Sequence, residues 1–321
     1  MLCVDSLDPG VHRGPPDYLN EGARYEFADL MAWTPDRAAQ GSDAVVHCAA
    51  LGGVARANRE PANVIGGNVV GTARLIESMR VWSGLRRVVL ASSFSVYGAA
   101  YRYRCQACGA CRDGDRQEAE LVVGKYDVLC SSCGGETAVL PLDTSANPAP
   151  LETYGASKLM QELCFRGFDA CPVIILRQSS VYGPRLRLED GEATVIARLA
   201  GWIAKGVPPT LLEDGRQLRD WVEVGDVVRA MLAVIDGREA DPIVNVCTGV
   251  PTQLVEACDA IAHALAVDCS PDIVGGYRAG DMRHCLGDPA AFARLIGRDP
   301  TPFARGVERW LSGRVAAGSA H

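Results

Sequence analysis

Three short apolar runs constrain the architecture of this chain more than any other feature. Asp43-Ala-Val-Val-His-Cys-Ala-Ala50, Leu85-Arg-Arg-Val-Val-Leu-Ala91 and Pro172-Val-Ile-Ile-Leu-Arg177 each read as a buried strand. Residues 63–81 between the first two read as a helix, with Leu75, Ile76 and Met79 among the apolar positions, and a second helix opens near residue 154. Strands alternating with helices predict an α/β fold built on a doubly wound parallel sheet. Open sheets of this kind bind ligands at the carboxyl ends of their strands. That is where Ser92 and Ser93 fall, and where the small-residue loop Leu51-Gly52-Gly53 lets backbone approach a ligand closely.

The second constraint is Tyr154-Gly155-Ala156-Ser157-Lys158. Tyr and Lys four apart on a helix share one face. A nearby ammonium favours the phenolate and lowers a phenol pKa that is ordinarily about 10. Such a tyrosine can take a proton from a hydroxyl or return it. Paired with Ser93 at a strand end, Tyr154 and Lys158 make a candidate catalytic set. His47, inside a strand, is expected to be a packing residue, and Asn68 either a polar clamp toward the next strand end or a loop cap.

With 321 residues, the chain has room for one large domain and a smaller annex; it is 48% hydrophobic and 22% charged. Its net charge of −7 argues against nucleic acid as the main partner. No apolar run reaches the roughly eighteen residues of a membrane span. The opening Met1-Leu-Cys-Val-Asp5 is too short and too soon acidic for a signal peptide, so a cytoplasmic location is expected. Thirteen cysteines are an odd number, and five of them crowd into residues 105–133, which suits reduced thiols better than a disulfide frame.

Those five interrupt the strand–helix rhythm. Cys105 and Cys108 are answered by Cys130 and Cys133, twenty-one residues on, a spacing that supplies four thiolates to a tetrahedral structural zinc. Residues 99–147 therefore read as an inserted zinc ribbon, with Glu120-Leu-Val-Val123 and Tyr126-Asp-Val-Leu129 as its expected strands. All four coordination positions would be filled, leaving no open site on the metal. Cys111 is out of register and receives no role.

In a dinucleotide-binding fold an acid at the end of the second strand grips the adenosine ribose, and Asp5 stands at such a tip. Two further clusters, Arg216-Gln-Leu-Arg-Asp220 and Tyr277-Arg278-Ala-Gly-Asp281, offer guanidinium groups to phosphate oxygens.

Asp5, Asp29, His47-Cys-Ala-Ala50, Asn68-Val-Val-Gly-Thr72, Ser92-Ser93, Val96-Tyr-Gly98, Tyr154 to Lys158, Leu176-Arg177, Val181-Tyr-Gly-Pro-Arg185, Arg219-Asp220 and Arg278 together resemble the extended short-chain dehydrogenase/reductase family, in its nucleotide-sugar epimerase/dehydratase branch. The match runs almost the whole length outside the insertion, which is itself similar to that of dTDP-L-rhamnose 4-epimerase-type proteins. The resemblance implies a Rossmann-like domain over residues 1–98 and 148–180, the zinc ribbon at 99–147, and a sugar-nucleotide-binding subdomain over 181–321. It implies NAD held by Asp5, Ser6, Asp29, Leu30, Ala49, Ala50, Asn68, Ser92, Tyr154, Lys158 and Ser179. Ser180, Arg219 and Arg278 would meet substrate, with Ser180 standing where the family usually offers asparagine. The family's 4,6-dehydratases place an Asp-Glu pair directly after the catalytic Ser/Thr; here those positions are Phe94 and Ser95, which favours epimerase chemistry.

The family's first strand, glycine-rich pyrophosphate loop and first helix have no counterpart before Asp5. The expectation is that the sheet lacks a central strand, that the start is misplaced or the gene truncated, and that NAD binding by this chain is poor. The activity expected is that of an NAD-dependent nucleotide-sugar 4-epimerase acting through a transient 4-keto sugar, as a homodimer. The alternatives are an NDP-4-ketosugar reductase and a catalytically inactive remnant.

Overall fold

The computed structural model describes residues 1–12, 14–114, 116–188, 194–278 and 281–315. In chain order the strands are β1 (Leu2–Asp5), β2 (Arg24–Phe27), β3 (Ala44–His47), β4 (Arg87–Ser93), β5 (Arg102–Cys105), β6 (Cys111–Asp113), β7 (Thr137–Val139), β8 (Val173–Gln178), β9 (Ser180–Tyr182), β10 (Thr210–Leu212), β11 (Leu218–Glu223), β12 (Ile243–Val246), β13 (Pro251–Gln253) and β14 (Asp272–Gly275). The helices are α1 (Arg37–Gln40), α2 (Val54–Arg59), α3 (Pro61–Ile65), α4 (Gly71–Met79), α5 (Glu118–Val122), α6 (Thr153–Cys164), α7 (Val195–Ala204), α8 (Val224–Ile235), α9 (Leu254–Leu265), α10 (Ala290–Ile296) and α11 (Phe303–Val315).

The main sheet is parallel, in the order β12-β8-β4-β3. Val88, Val89 and Leu90 of its central strand are fully buried because helices cover both faces. Alternation along β4 assigns those residues to opposite layers. Val88 and Leu90 pack with Leu75, Ile76 and Met79 of α4 and with Phe165 and Phe168 after α6. Val89 packs with Val227, Ala230 and Val234 of α8 and with Phe292 and Leu295 of α10. This is the doubly wound arrangement expected from the strand–helix alternation.

Among the described residues, β1 and β2 pair in parallel with each other and with no other strand, so β1 and β3 each leave an edge unpaired. The break lies where the sequence led us to expect a missing strand. Arg56 of α2 joins the two parts, donating to both Asp8 carboxylate oxygens at 3.0 and 2.9 Å. Of the expected helix over residues 63–81, residues 63–79 are helical, and α3 and α4 are joined by a π-helical turn at Gly66–Val70 that carries Asn68.

The part of the chain after residue 180 contributes to two bodies. β12, α8 and α10 belong to the main sheet and its cover. The second body, formed by the sheets β13-β11-β9 and β10-β14, is covered by α7, α9 and α11 around Trp221, Tyr182 and Trp310. Strand β9 pairs in parallel with β11.

The insertion is a three-stranded antiparallel sheet, β6-β5-β7. The expected ribbon strands at 120–123 and 126–129 are not formed: Glu118–Val122 is a short helix, and 126–129 is irregular. The β-branched run there is instead a fold-back over the neighbouring body, with Val128 buried beside Tyr101, Tyr103 and Cys285. Among the described residues no helix is long and apolar enough to cross a membrane.

One close approach governs where α6 begins. A Cβ on Gly155 would stand 2.4 Å from the Ser95 carbonyl oxygen, so glycine lets the helix dock against the turn after β4. Gly155→Ala is therefore expected to cost about 1–3 kcal/mol through backbone displacement. Urea unfolding should show a lower midpoint with an unchanged slope; equal midpoints would contradict this account of the docking.

Candidate active site

Helix α6 carries Tyr154 and Lys158 one turn apart, as the spacing predicts. Its first turn is held by Glu152, whose carboxylate accepts from the Tyr154 and Gly155 backbone N–H groups at 2.6 and 2.8 Å. Ser93, the last residue of β4, stands beside the Tyr154 phenol, near enough to act on its ionisation. The three expected catalytic side chains are thus brought to one place, at the carboxyl end of the central strand.

The electrostatics depart from expectation. Burial pushes the Tyr154 phenol up to about 12, opposed by the Ser93 hydroxyl and reinforced by the Glu152 charge. Lys158 does not counter this, because its ammonium donates to the Ala91 carbonyl oxygen at 2.5 Å. Burial lowers Lys158 in turn to about 8, with the Cys48 and Glu162 charges working against the shift. Burial and the Lys158 charge also bring His47 down to about 3, so its imidazole is neutral. His47 is a packed strand residue as expected, its Nε2 lying 2.7 Å from the Thr72 hydroxyl.

Below these groups runs a buried polar network that motif reasoning did not find. Ser92 donates to Glu162 at 2.5 Å, and Glu162 receives Arg177 through Nε and Nη2 at 3.0 and 2.7 Å. The Arg177 guanidinium stands 4.8 Å over the Tyr97 ring, and the Tyr97 hydroxyl donates to Asn245 at 2.6 Å. The available signal was helical spacing: Glu162 lies one turn beyond Lys158 on the same face.

Two residues expected at the cofactor turn inward. Ser92 is 3% exposed, and its one O–H is given to Glu162. Asn68 is fully buried: its Oδ1 accepts from Leu51 N–H at 2.6 Å, and its Nδ2 donates to Ser157 at 2.9 Å and the Leu51 carbonyl at 3.2 Å. It is the loop cap and not a clamp on the next strand end, holding the small-residue loop against α6.

The other cofactor candidates do face out. Asp5, Ser6, Asp29, Ala49 and Ala50 are exposed at the ends of β1, β2 and β3, with Leu30 half-buried beside them. A Cβ at Gly52 or Gly53 would meet nothing within 4 Å, so this edge is an open shelf. Asp5 bonds its own turn through the Leu7 N–H at 2.8 Å, as Asp29 does through Met31 at 2.8 Å. Ser179, half-buried, donates its hydroxyl to the Asp220 carbonyl at 2.5 Å.

The two arginine clusters differ. Arg219 donates to the carbonyls of Leu218 and Arg283 at 2.9 Å and of Met282 at 3.2 Å, tying β11 to a neighbouring segment. Arg278 is exposed; Ala279 and Gly280, which follow it, lie outside the described residues. Ser180 begins β9 opposite Trp221.

The four ribbon cysteines converge. Their sulfurs lie within 4.8 Å of one another, with Cys105–Cys133 at 3.5 Å and Cys108–Cys130 and Cys108–Cys133 at 3.6 Å. Four thiolates at about 2.3 Å from a tetrahedral zinc would stand about 3.8 Å apart, so the donor set fits that ion. Each pair forms the same turn: Gly109 N–H bonds Cys105 O and Cys105 N–H bonds Ala110 O, mirrored by Gly134, Cys130 and Gly135. Gly109 and Gly134 take φ of 73° and 69°, where a side chain would be strained. Backbone N–H groups of Ser132 and Cys133 bring Cys130 down to about 6, toward the thiolate a metal requires. Cys111 is exposed on β6, outside the cluster.

The sequence profile of the NAD dependent epimerase/dehydratase family matches residues 4–110 and 124–247, passing over only part of the insertion. The chain is 27% identical to a dTDP-L-rhamnose 4-epimerase of Burkholderia thailandensis, over 97% of this chain and 88% of that protein. It is 30% identical to a putative UDP-glucose 4-epimerase of Methanocaldococcus jannaschii, over 83% of this chain and 74% of the other. A UDP-glucose 4-epimerase of Thermotoga maritima, solved with UDP-glucose, shares the fold with a TM-score of 0.74 at 23% identity, covering 100% of this chain and 91% of that one. MoeE5, solved with UDP-glucuronic acid and NAD, gives 0.73 at 26% identity, covering 99% and 91%.

Burying the Lys158 charge has a measurable cost. Its pKa of about 8 in the fold lies below the 10.5 of an ordinary lysine, so the unfolded chain binds more protons between those values and stability rises with pH across that window. Lys158→Met is expected to stabilise the chain at pH 7 by about 1–3 kcal/mol, after allowing for the lost Ala91 bond. The gain should shrink as pH rises from about 8 toward 10.5. Denaturant titrations of both proteins at pH 7 and pH 10 would show a constant difference if the charge were not the cause.

Proposed function

The chain belongs to the NAD dependent epimerase/dehydratase family, and from that premise we propose that it is an NAD-dependent 4-epimerase of a nucleoside-diphosphate sugar. The observation that carries this reading is the placing of Ser93, at the carboxyl end of β4, beside the Tyr154 phenol, with Lys158 one turn along the same helix. The acid–base pair of the dehydratases has no equivalent beside it. Phe94 is 2% exposed and packs edge-on against Tyr97, and Ser95 offers only a hydroxyl.

NAD, when bound, supplies a hydride acceptor for C4 of the sugar and returns the hydride to the same carbon. The outward-facing residues fit its adenosine end: Asp5 and Asp29 offer carboxylates to ribose hydroxyls, and the Ala49–Gly53 shelf leaves room for the ring. Asp5 has no arginine beside it in the sequence, which favours NAD over its phosphorylated relative. No glycine-rich turn for the pyrophosphate occurs among the described residues. Ser6, Leu30 and Ser179 complete the contacts, while Ser92 and Asn68 act from behind, through Glu162 and the Leu51 loop.

At the sugar, Tyr154 Oη exchanges the proton of the 4-hydroxyl and Ser93 Oγ bonds the same oxygen. Lys158, protonated below about pH 8 and bonded to the Ala91 carbonyl, leaves the Tyr154 phenol pKa high and would bond the nicotinamide ribose. Arg278 and the N–H groups of Arg219 not taken by carbonyls face the diphosphate, with Ser180 near the sugar. Cys105, Cys108, Cys130 and Cys133 hold a structural zinc.

Two measurements test this reading. Substrate deuterated at C4 should give product that keeps its label, with no net use of NADH. Tyr154→Phe should abolish turnover with cofactor affinity nearly unchanged, and Ser93→Ala should lose about 2–4 kcal/mol of barrier lowering. Turnover that consumes NADH one-for-one with product would replace the epimerase by a 4-ketosugar reductase. For the metal, elemental analysis should find about one zinc per chain, lost in Cys130→Ser; equal metal content in both proteins would remove the ribbon site.

A further inference from the structure

An ion-paired cluster around the buried Arg283 lies outside the groups just assigned. Arg283 is 1% exposed in its side chain and meets three carboxylates: Asp127 at 2.5 Å, Glu213 at 2.5 Å and Asp214 at 2.9 Å. Arg116 completes the cluster, donating to Glu213 at 2.5 Å and to the Asp281 carbonyl at 2.5 Å. Asp127 and Arg116 come from the cysteine-bearing insertion, whereas Glu213, Asp214, Asp281 and Arg283 come from the body that carries Arg219 and Arg278. The contact is therefore an ion-paired seam between two parts of the chain, closed further by Tyr277 donating to Glu118 at 3.2 Å.

The seam leads directly to the diphosphate residues. Arg219 donates to the backbone carbonyls of Met282 and Arg283, so wherever Arg283 is held, the Arg219 guanidinium is held too. On the other side, Asp127 lies three residues before Cys130. The stretch between them is anchored by Arg112 to the Leu129 carbonyl at 2.8 Å, by the Thr137 hydroxyl to the Val128 carbonyl, and by Val128 in the shared core. A short chain of contacts thus runs from the cysteine turn through Asp127 and Arg283 to Arg219.

We propose that the insertion is a buttress for the substrate loop: through Asp127 and Arg116 it positions Arg283 and, by way of the 282–283 carbonyls, Arg219, and so sets the affinity for a nucleoside diphosphate. This rests on the reading of Arg219 and Arg278 as diphosphate ligands. Asp127 and Arg116 are positioning residues that need not touch substrate. The metal turn serves the site by fixing where Asp127 stands, although the metal is far from an open coordination chemistry. Asp127 is the carboxylate that ties Arg283 to the insertion, since Glu213 and Asp214 belong to its own body; its loss therefore frees that segment from the insertion while Arg283 keeps its other partners.

The test uses the full chain, with UDP and dTDP as separate probes and NAD as the control ligand. Asp127→Asn should weaken whichever nucleoside diphosphate binds by about tenfold while NAD affinity stays within twofold, and Asp127→Glu should recover most of the loss. Amide hydrogen exchange should accelerate at least tenfold over residues 281–287 in Asp127→Asn, and likewise in the wild-type chain stripped of metal by a chelator, with β4 and β8 unchanged. Acceleration confined to residues 102–139, or equal loss of UDP, dTDP and NAD binding, would overturn the proposal. If neither UDP nor dTDP binds the wild-type chain, the nucleotide-sugar reading fails on its own, and the exchange of residues 281–287 still decides whether the insertion holds that segment.

Discussion

The pairing of Glu162 with Arg177 is the interaction on which the active site most depends. It joins the third turn of α6 to the strand β8, and Ser92 adds β4 to the same carboxylate. Both charges are almost completely buried, with side-chain exposures of 4% and 5%. Breaking such a pair from one side costs about 3–5 kcal/mol, because the remaining charge keeps its desolvation without its partner. The helix therefore has one register on the sheet. Tyr154, two turns back from Glu162, is thereby fixed against Ser93, and Lys158 against Ala91.

A second set of charges does at the seam between the insertion and the neighbouring body what Glu162 and Arg177 do at the sheet. Arg283 and Arg116 face Asp127, Glu213 and Asp214 across segments about seventy to one hundred and sixty residues apart in sequence. The aromatic side chains Tyr101 and Tyr103 and the aliphatic Val128 pack beneath, in a core shared with Phe94 and Tyr97 of the turn after Ser93. The cysteine-bearing unit consequently shares a core with the turn after Ser93, where the spacing of its cysteines alone would describe a separate appendage. The opposite end of the molecule is looser in construction. The β1–β2 pair is joined to the rest by the Arg56–Asp8 bridge and loop contacts, with strand edges left open on either side of the break.

What the sequence determined by itself was whatever depends on neighbours close in the chain. Runs such as Val88-Val89-Leu90 must be buried strands, Tyr154 and Lys158 must share a helix face, and Cys105, Cys108, Cys130 and Cys133 must form two turns able to share one ion. Local periodicity and backbone turn chemistry dictate each of these. What only the tertiary structure decided was the partner of each polar group. Ser92 and Ser93 are adjacent and equivalent as letters, yet one feeds a buried carboxylate and the other faces a phenol. Arg219 was legible as a cation, but its engagement with carbonyls at residues 282 and 283 was not. The runs 120–123 and 126–129, expected as strands, form part of a helix and a fold-back instead, the second held by the burial of Val128 and the pairing of Asp127 with Arg283. Lys158 shows the same division: its place on the helix follows from spacing, whereas its bond to Ala91 and its lowered pKa follow from a desolvated position that only packing creates.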